Sequence, residues 1–199
     1  MEEDKPAIEI LKDYASQTGR KARFQESDKS TFLVHSHIMH GRIIYFPDRQ
    51  SDKRYFAAYS NPRFFGIRAM YSGVFIPVDL PESVNVQIRK KTIFDRLRFL
   101  NMRKTYRFDE RQLDRKLLLT GEHADRALSV LHDPKIQHEI YEFMMNNPRY
   151  WLLINDIDIS YIPEFKTGSY LGFLRANWEL DGDEIEHLFR SIKRIEKLL

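Results

Sequence analysis

The chain has 199 residues and a mass of 23.9 kDa, which fits one large domain better than a string of modules. Its hydrophobic fraction of 42% and aromatic fraction of 13% exclude an intrinsically disordered chain. Because it contains no cysteine, it cannot be a disulfide scaffold, use a thiol nucleophile or bind a metal through thiolates.

The first elements predicted are a helix and a meander of strands. Ile8, Leu11 and Ala15 repeat at helical spacing and predict a short amphipathic helix that Gly19 ends. Residues 31–46 are rich in β-branched and aromatic side chains and predict a long strand. Returning strands are predicted over residues 54–60 and 63–71, and the glycine and prolines of residues 72–83 indicate a boundary between two halves.

The second half begins with the clearest alternation in the chain. Val84, Val86 and Ile88 alternate with polar residues, which predicts a half-buried strand. Two further short strands are predicted over residues 106–108 and 115–119.

The C-terminal third is predicted as two helices, a hairpin and a last helix. The apolar spacing from Ala124 to Leu131 predicts the first helix, and Asp133 predicts the cap of the second. The hairpin strands are predicted over residues 151–162 and 170–178.

The last helix is predicted to start at a cap formed by Asp183, with Glu186 at the third position of a capping box. Its predicted apolar face consists of Ile185, Leu188, Phe189, Ile192, Ile195 and Leu199.

This order of elements predicts the fold class, because strands and helices do not alternate as they do in a parallel sheet. We predict an α+β fold of antiparallel sheets, with helices packed on one face and a long C-terminal amphipathic helix. The predicted organisation is a single domain over residues 1–199, divisible into halves 1–76 and 84–199 that share a core.

Residues 105–199 contain a characteristic succession of short motifs and predicted elements. It consists of Tyr106-Arg107-Phe108-Asp109, a short strand over residues 116–119, Thr120-Gly121-Glu122, and a helix ending near Asp133-Pro134. In this order the half resembles uncharacterised bacterial domains that are often found beside membrane segments. The resemblance implies no activity and assigns no role to any residue.

A block of basic residues gives the clearest indication of a partner. Residues 87–116 contain eleven Lys or Arg against four Asp or Glu, whereas residues 117–199 contain nine against fourteen. The predicted anion- or partner-binding residues are Arg89, Lys90, Lys91, Arg96, Arg98, Arg103, Lys104 and Arg107. Aromatic residues lie between them, as in proteins that bind single-stranded nucleic acid, and the same charges suit anionic lipid headgroups.

The sequence offers little for catalysis. His35 and His37 lie on one side of the predicted strand and are the candidates for a metal-dependent enzyme. No acidic residue accompanies them between Asp28 and Asp48, so we predict no metal and no cofactor. No glycine-rich phosphate loop or nucleophile elbow is present.

Three other ionisable pairs have spacings that catalytic sites use. His138 and Glu142 start a zinc-protease spacing but lack its second histidine, and Glu184 with His187 matches only one quarter of a di-iron site. Asp156 and Asp158 share one face of the predicted strand over residues 151–162. We predict that all three pairs are solvated side chains, and we predict no catalytic residue.

The sequence therefore predicts a non-enzymatic interaction domain. The aromatic content favours a protein partner or self-association, and an anionic membrane surface is the next partner class. The alternatives are a nucleic-acid-binding protein that uses residues 89–108 and a metal-dependent enzyme centred on His35 and His37. We predict that the protein lies in the bacterial cytoplasm, or on the cytoplasmic face of the inner membrane.

Overall fold

The computed structural model describes residues 6–29, 39–60, 70–96 and 104–199. The described residues form five α-helices: α1 (Ala7–Gln17), α2 (Arg111–Lys116), α3 (Ala124–Leu131), α4 (Pro134–Asn146) and α5 (Gly182–Glu196). They also form nine strands: β1 (Arg23–Lys29), β2 (Met39–Asp48), β3 (Ser51–Ser60), β4 (Met70–Val78), β5 (Asn85–Lys90), β6 (Thr105–Tyr106), β7 (Leu117–Glu122), β8 (Tyr150–Ile154) and β9 (Ser169–Ala176). The strands pair antiparallel, so the predicted α+β class with an antiparallel sheet is confirmed.

The chain divides into two compact units. The first unit comprises residues 1–75 and 175–189, and the second comprises residues 76–174 and 190–199.

In the first unit, the strands follow the order β1-β2-β3-β4. Strand β2 lies between β1 and β3. Its register places Ile44 opposite Phe24 of β1 and Phe46 opposite Phe56 of β3. Ile44, Phe46 and Phe56 are fully buried, and the rings of Phe46 and Phe56 stack with centroids 4.9 Å apart. Because alternate residues of a strand share a face, Ile44 and Phe46 point into the same core and hold the register.

Helix α1 confirms the prediction made from its apolar spacing. Leu11 and Ala15 are buried, and Gly19 follows the helix with a φ of 70°. This left-handed conformation suits glycine and ends the helix at the predicted place.

A chain of buried ion pairs joins separate elements of the first unit. The Arg20 guanidinium lies 2.8 Å from the Glu186 carboxylate and 3.8 Å from that of Asp48. Asp48 in turn accepts a hydrogen bond of 2.8 Å from Nε of Arg54. Arg20 and Arg54 are buried, so each needs these carboxylates to offset the loss of hydration.

Two aromatic rings complete the surroundings of Arg20. Its Cζ lies 5.4 Å from the ring centre of Tyr14 and 5.0 Å from that of Phe189. The Nε and Nη2 atoms of Arg20 have no hydrogen-bond partner among the described residues, so ring faces and carboxylate charge stabilise this side of the guanidinium.

In the second unit, the strands follow the order β9-β8-β5-β7-β6. Strand β5 pairs with β7 and β8, and the register places Ile88 opposite Leu119 and Leu152. Val84, Val86 and Ile88 are fully buried, which confirms the strand predicted from their alternation.

One glycine is required by the pairing of β5 with β7. Gly121 has a φ of 149°, and a Cβ atom at this position would lie 2.0 Å from the carbonyl oxygen of Asn85. The two backbones can approach this closely only because residue 121 has no side chain.

The region predicted as a strand over residues 115–119 is in part a helix. The carboxylate of Glu110 accepts a hydrogen bond of 2.6 Å from the Leu113 N–H and caps α2, which continues to Lys116. The cap satisfies a backbone donor of the first turn, and this local bond decides the conformation before the apolar run of β7 begins.

The strand predicted over residues 151–162 ends early, at Ile154. Asn155 has a φ of 49° and forms side-chain hydrogen bonds to Val84, Ser169 and Tyr170. These bonds hold a turn where the alternating pattern predicts an extended strand.

In the first half, one strand has no counterpart among the predictions, and two predicted strands are described only in part. Strand β1, Arg23–Lys29, was not expected from its charged sequence. The predicted strand over residues 31–46 is described from Met39 onward, within β2, whereas residues 31–38 lie outside the described residues. Most of the predicted strand over residues 63–71 lies outside them as well.

Helix α5 begins one residue before the predicted cap. Asp181 accepts hydrogen bonds from the N–H groups of Asp183 and Glu184, so Asp181, not Asp183, caps the first turn. Glu186 bonds Arg20 instead of forming a capping box. The buried residues of α5 are Ile185, Leu188, Phe189, Ser191, Ile192 and Ile195, whereas Leu199, predicted on the same face, follows the end of the helix and is exposed.

Candidate functional site

A groove lined by four cations and two aspartates lies on the second unit, between the end of β5 and the helix α2. Its volume is about 670 Å³. The residues that line it are Lys90, Lys91, Thr92, Ile93, Asp95, Asp114, Arg115 and Lys116. We call this feature the basic groove.

Backbone and side-chain hydrogen bonds fix the two walls of the basic groove to each other. The Lys91 N–H donates to the carbonyl oxygen of Lys116 over 2.8 Å, and Lys91 Nζ donates to the carbonyl oxygen of Asp114. Arg115 and Lys116 lie in the last turn of α2, where the helix dipole favours cations.

The turn that brings Thr92 and Ile93 into the groove lining is held by the bond between Arg89 and Asp95. The two Arg89 amino groups donate to the two Asp95 oxygens over 2.7 and 2.5 Å. Asp95 also accepts from the Thr92 N–H over 2.6 Å and from the Thr92 hydroxyl over 2.9 Å. The bidentate hydrogen bond from Arg89 lowers the pKa of Asp95 well below its usual range, so this carboxylate stays ionised at neutral pH.

Three cations of the groove form no salt bridge with a described residue, although Asp95 and Asp114 also line it. Within the described part of the chain, no carboxylate lies in salt-bridge range of Lys90, Arg115 or Lys116. Lys91, Arg115 and Lys116 are exposed and Lys90 is half-buried. Like charges held together in this way raise the local affinity for an anion.

A second hollow lies on the other flank of α2 and extends the positive surface. It has a volume of about 460 Å³ and shares Arg115 and Lys116 with the basic groove. Arg111 and the half-buried Tyr141 also line it. Together the two hollows are lined by five cations in or near one short helix: Lys90, Lys91, Arg111, Arg115 and Lys116.

A third hollow, of about 620 Å³, has a mixed charge. Lys104 lies over the ring of Tyr106, with 4.8 Å between Nζ and the ring centre. Glu122, His123 and Asp125 line the same hollow, so its carboxylates offset the lysine. This balance makes it a weaker anion site than the basic groove.

The predicted binding residues are distributed unevenly over these features. Lys90 and Lys91 line the basic groove, and Arg89 lies outside its lining but binds Asp95, which is part of it. Lys104 lies in the third hollow, and Arg107 is exposed but lines none of the three. Three more predicted residues cannot be assigned to a feature: Arg98 and Arg103 lie outside the described residues, as does the side chain of Arg96.

Sequence reasoning missed Arg115 and Lys116 as binding residues. The strand predicted over residues 115–119 would have pointed them to opposite faces, whereas in α2 they line the same groove. Their only signal in the sequence was the charge of residues 87–116.

The other candidate sites do not form around described residues. His35 and His37 lie outside the described residues, and the described ones contain no group of three or more potential metal ligands. Asp158 accepts hydrogen bonds from the N–H and hydroxyl of Ser160, in the turns after β8. Asp156 is buried in the same region, so the prediction that Asp156 and Asp158 share a strand face is wrong.

Comparisons with known proteins give no further assignment. No protein-family model, no curated protein and no solved structure matches this chain. The resemblance of residues 105–199 to uncharacterised bacterial domains therefore stays a prediction. Among the residues that the structure describes, none of the helices has the length and apolar character to cross a membrane.

Proposed function

We propose that the protein is a non-enzymatic binding domain and that the basic groove takes up an anionic partner. The observation that carries the proposal is the convergence of Lys90, Arg115 and Lys116 on one groove without a carboxylate in salt-bridge range. At physiological ionic strength, charges are screened beyond about 8 Å, so cations that line one groove act on a bound anion together.

The aromatic residues support an anionic partner over self-association. Every aromatic side chain whose burial is described is buried or half-buried, and the exposed large apolar residues are Met70, Ile93 and Leu199. The described aromatic residues therefore serve the cores of the two units and offer no contiguous patch to a second copy.

The test is retention on immobilised heparin, a sulfated polyanion that serves as a general probe. We expect the double variant Lys90→Glu/Lys116→Glu to elute at clearly lower salt than the wild-type protein. The matched control is Lys21→Glu/Lys53→Glu, which changes the net charge equally at exposed lysines of the first unit. Equal elution of the two variants, or no retention of the wild-type protein at low salt, would refute the proposal.

Two further parts of the proposal concern location and the last helix. The lack of cysteine fits the reducing bacterial cytoplasm, and we propose the cytoplasm or the cytoplasmic face of the inner membrane as the location. We also propose that α5 is a long amphipathic helix whose apolar side includes Ile185, Phe189 and Ile192, which are buried.

A further inference from the structure

We propose that the anionic partner is a lipid bilayer and that Ile93 enters it while the cations of the basic groove contact the headgroups. This inference rests on the proposed function of the groove and specifies the partner.

Ile93 is the most exposed large apolar residue in the described part of the chain. Its side chain is 80% exposed, compared with 43% for Met70 and 46% for Leu199. It lines the basic groove beside Lys91 and Thr92. Transfer of such an exposed aliphatic side chain from water into an apolar partner is favourable, and here the gain would add to that of the neighbouring cations.

The turn that carries Ile93 is held in place. Asp95 binds both Arg89 and Thr92, so it ties the residue before Ile93 to the end of β5. The Lys91 N–H is bonded to Lys116 across the groove. Ile93 is thus presented in a fixed position relative to the cations, and little conformational entropy is lost when it inserts.

The combination of side chains favours a bilayer over a nucleic acid. Single-stranded nucleic acids are bound by cations together with aromatic rings that stack on bases, and an isoleucine cannot stack. A membrane presents anionic headgroups directly above hydrocarbon, and proteins at this interface bury apolar side chains about 5–10 Å into the boundary, which matches an aliphatic side chain beside cations. A nucleic acid is therefore the competing outcome of the test.

The test measures co-sedimentation with vesicles of phosphatidylcholine containing 30% phosphatidylserine, and with phosphatidylcholine alone. We expect the wild-type protein to bind the anionic vesicles and Lys90→Glu/Lys116→Glu to bind them at least 20-fold more weakly, since each cation near the surface contributes about fivefold. Ile93→Ser should weaken binding about tenfold, whereas the control Leu199→Ser should bind as the wild type does. Ile93→Ser should leave the elution from heparin unchanged.

A second measurement locates the inserted residue without removing it. Because the chain has no cysteine, Ile93→Cys can be labelled at that position alone with the environment-sensitive dye NBD. We expect its emission to shift to shorter wavelength on anionic vesicles and the emission of labelled Leu199→Cys to stay unchanged.

The outcomes separate the two proposals. If the groove variant loses heparin retention but the wild type binds a mixed-sequence single strand and no vesicles, the membrane inference is refuted and the proposed function stands. Vesicle binding that does not change in Ile93→Ser, with no shift of the dye, refutes the inference as well. If charge reversal in the groove leaves heparin retention intact, the proposed function itself fails.

Discussion

The charged guanidinium of Arg20 is buried in the first unit, and the groups around it must offset the free-energy cost of burying that charge. Its side chain is 1% exposed, and that of its closest counter-ion, Glu186, is 31% exposed. Burial raises the pKa of Glu186, but the hydrogen bonds from Arg20 and Tyr14 outweigh it and hold the pKa below its ordinary value. Burial, together with the bond to Glu186, raises the pKa of Tyr14, so its hydroxyl stays protonated and remains a donor.

The first prediction follows from this depressed pKa. Glu186→Gln should lower the free energy of unfolding at pH 7 by about 1–2 kcal/mol, because the partly exposed carboxylate is the main counter-charge of a buried guanidinium. A group with a depressed folded-state pKa contributes stability above its unfolded pKa and loses it as the pH falls through the folded value. The difference between wild type and variant should therefore be constant from pH 7 to 6, start to shrink near the ordinary glutamate pKa of about 4.3, and keep shrinking as the pH falls through the depressed folded-state pKa. Urea unfolding at several pH values measures it.

The matched control for this prediction is Glu184→Gln, since Glu184 is an exposed residue of the same helix. It should change stability by less than about 0.5 kcal/mol at any pH. A loss in Glu186→Gln that persists unchanged at pH 3.5 would show that the carboxylate charge is not what stabilises Arg20.

At the scale of elements, α5 gives the most direct test of packing. Phe189 is 3% exposed and its ring lies against the Arg20 guanidinium. Phe189→Ala should lower the free energy of unfolding by about 3–5 kcal/mol, as truncation of a buried aromatic residue does. Arg190→Ala, at the exposed next position, is the control and should cost less than about 0.5 kcal/mol. Chemical denaturation of both variants measures this, and equal stabilities would mean that α5 does not pack as proposed.

The elements that could be predicted from sequence are those whose apolar residues repeat with a clear period or whose N-terminus has a typical capping residue. Alternating burial identified β5, and Asp133 does cap α4, with its carboxylate accepting from the Lys135 N–H over 2.7 Å. The predictions of secondary structure were wrong where a side chain forms a hydrogen bond with the backbone near an end of a helix or strand. Glu110 starts α2 inside a run predicted as a strand, and Asn155 ends β8 eight residues early. Such bonds compete with periodicity and leave no period of their own in the sequence.

At the scale of the whole molecule, the positive charge is concentrated in one stretch of the sequence, residues 87–116. The net charge of +3 hides the strongly basic residues 87–116. Sequence identified this region but not its geometry. The sequence could not show that Arg89 is hydrogen-bonded to Asp95 and so is not available to a partner. Nor could it show that α2 adds Arg115 and Lys116 to the groove, because both facts depend on residues brought together by folding.

The salt dependence of polyanion binding distinguishes a local site from a general effect of net charge. Lys90→Glu/Lys116→Glu and Lys21→Glu/Lys53→Glu each lower the formal net charge from +3 by four. If four groove cations contact the polyanion, a plot of log affinity against log NaCl concentration should have a slope of about −3 for the wild type. The control should keep this slope and the groove variant should reduce it to roughly half, as fewer counterions are released. Titrations of labelled heparin between about 50 and 200 mM salt measure the slopes. Equal slopes for the two variants would mean that the polyanion responds to the total charge of the protein, and the groove would then have no special role.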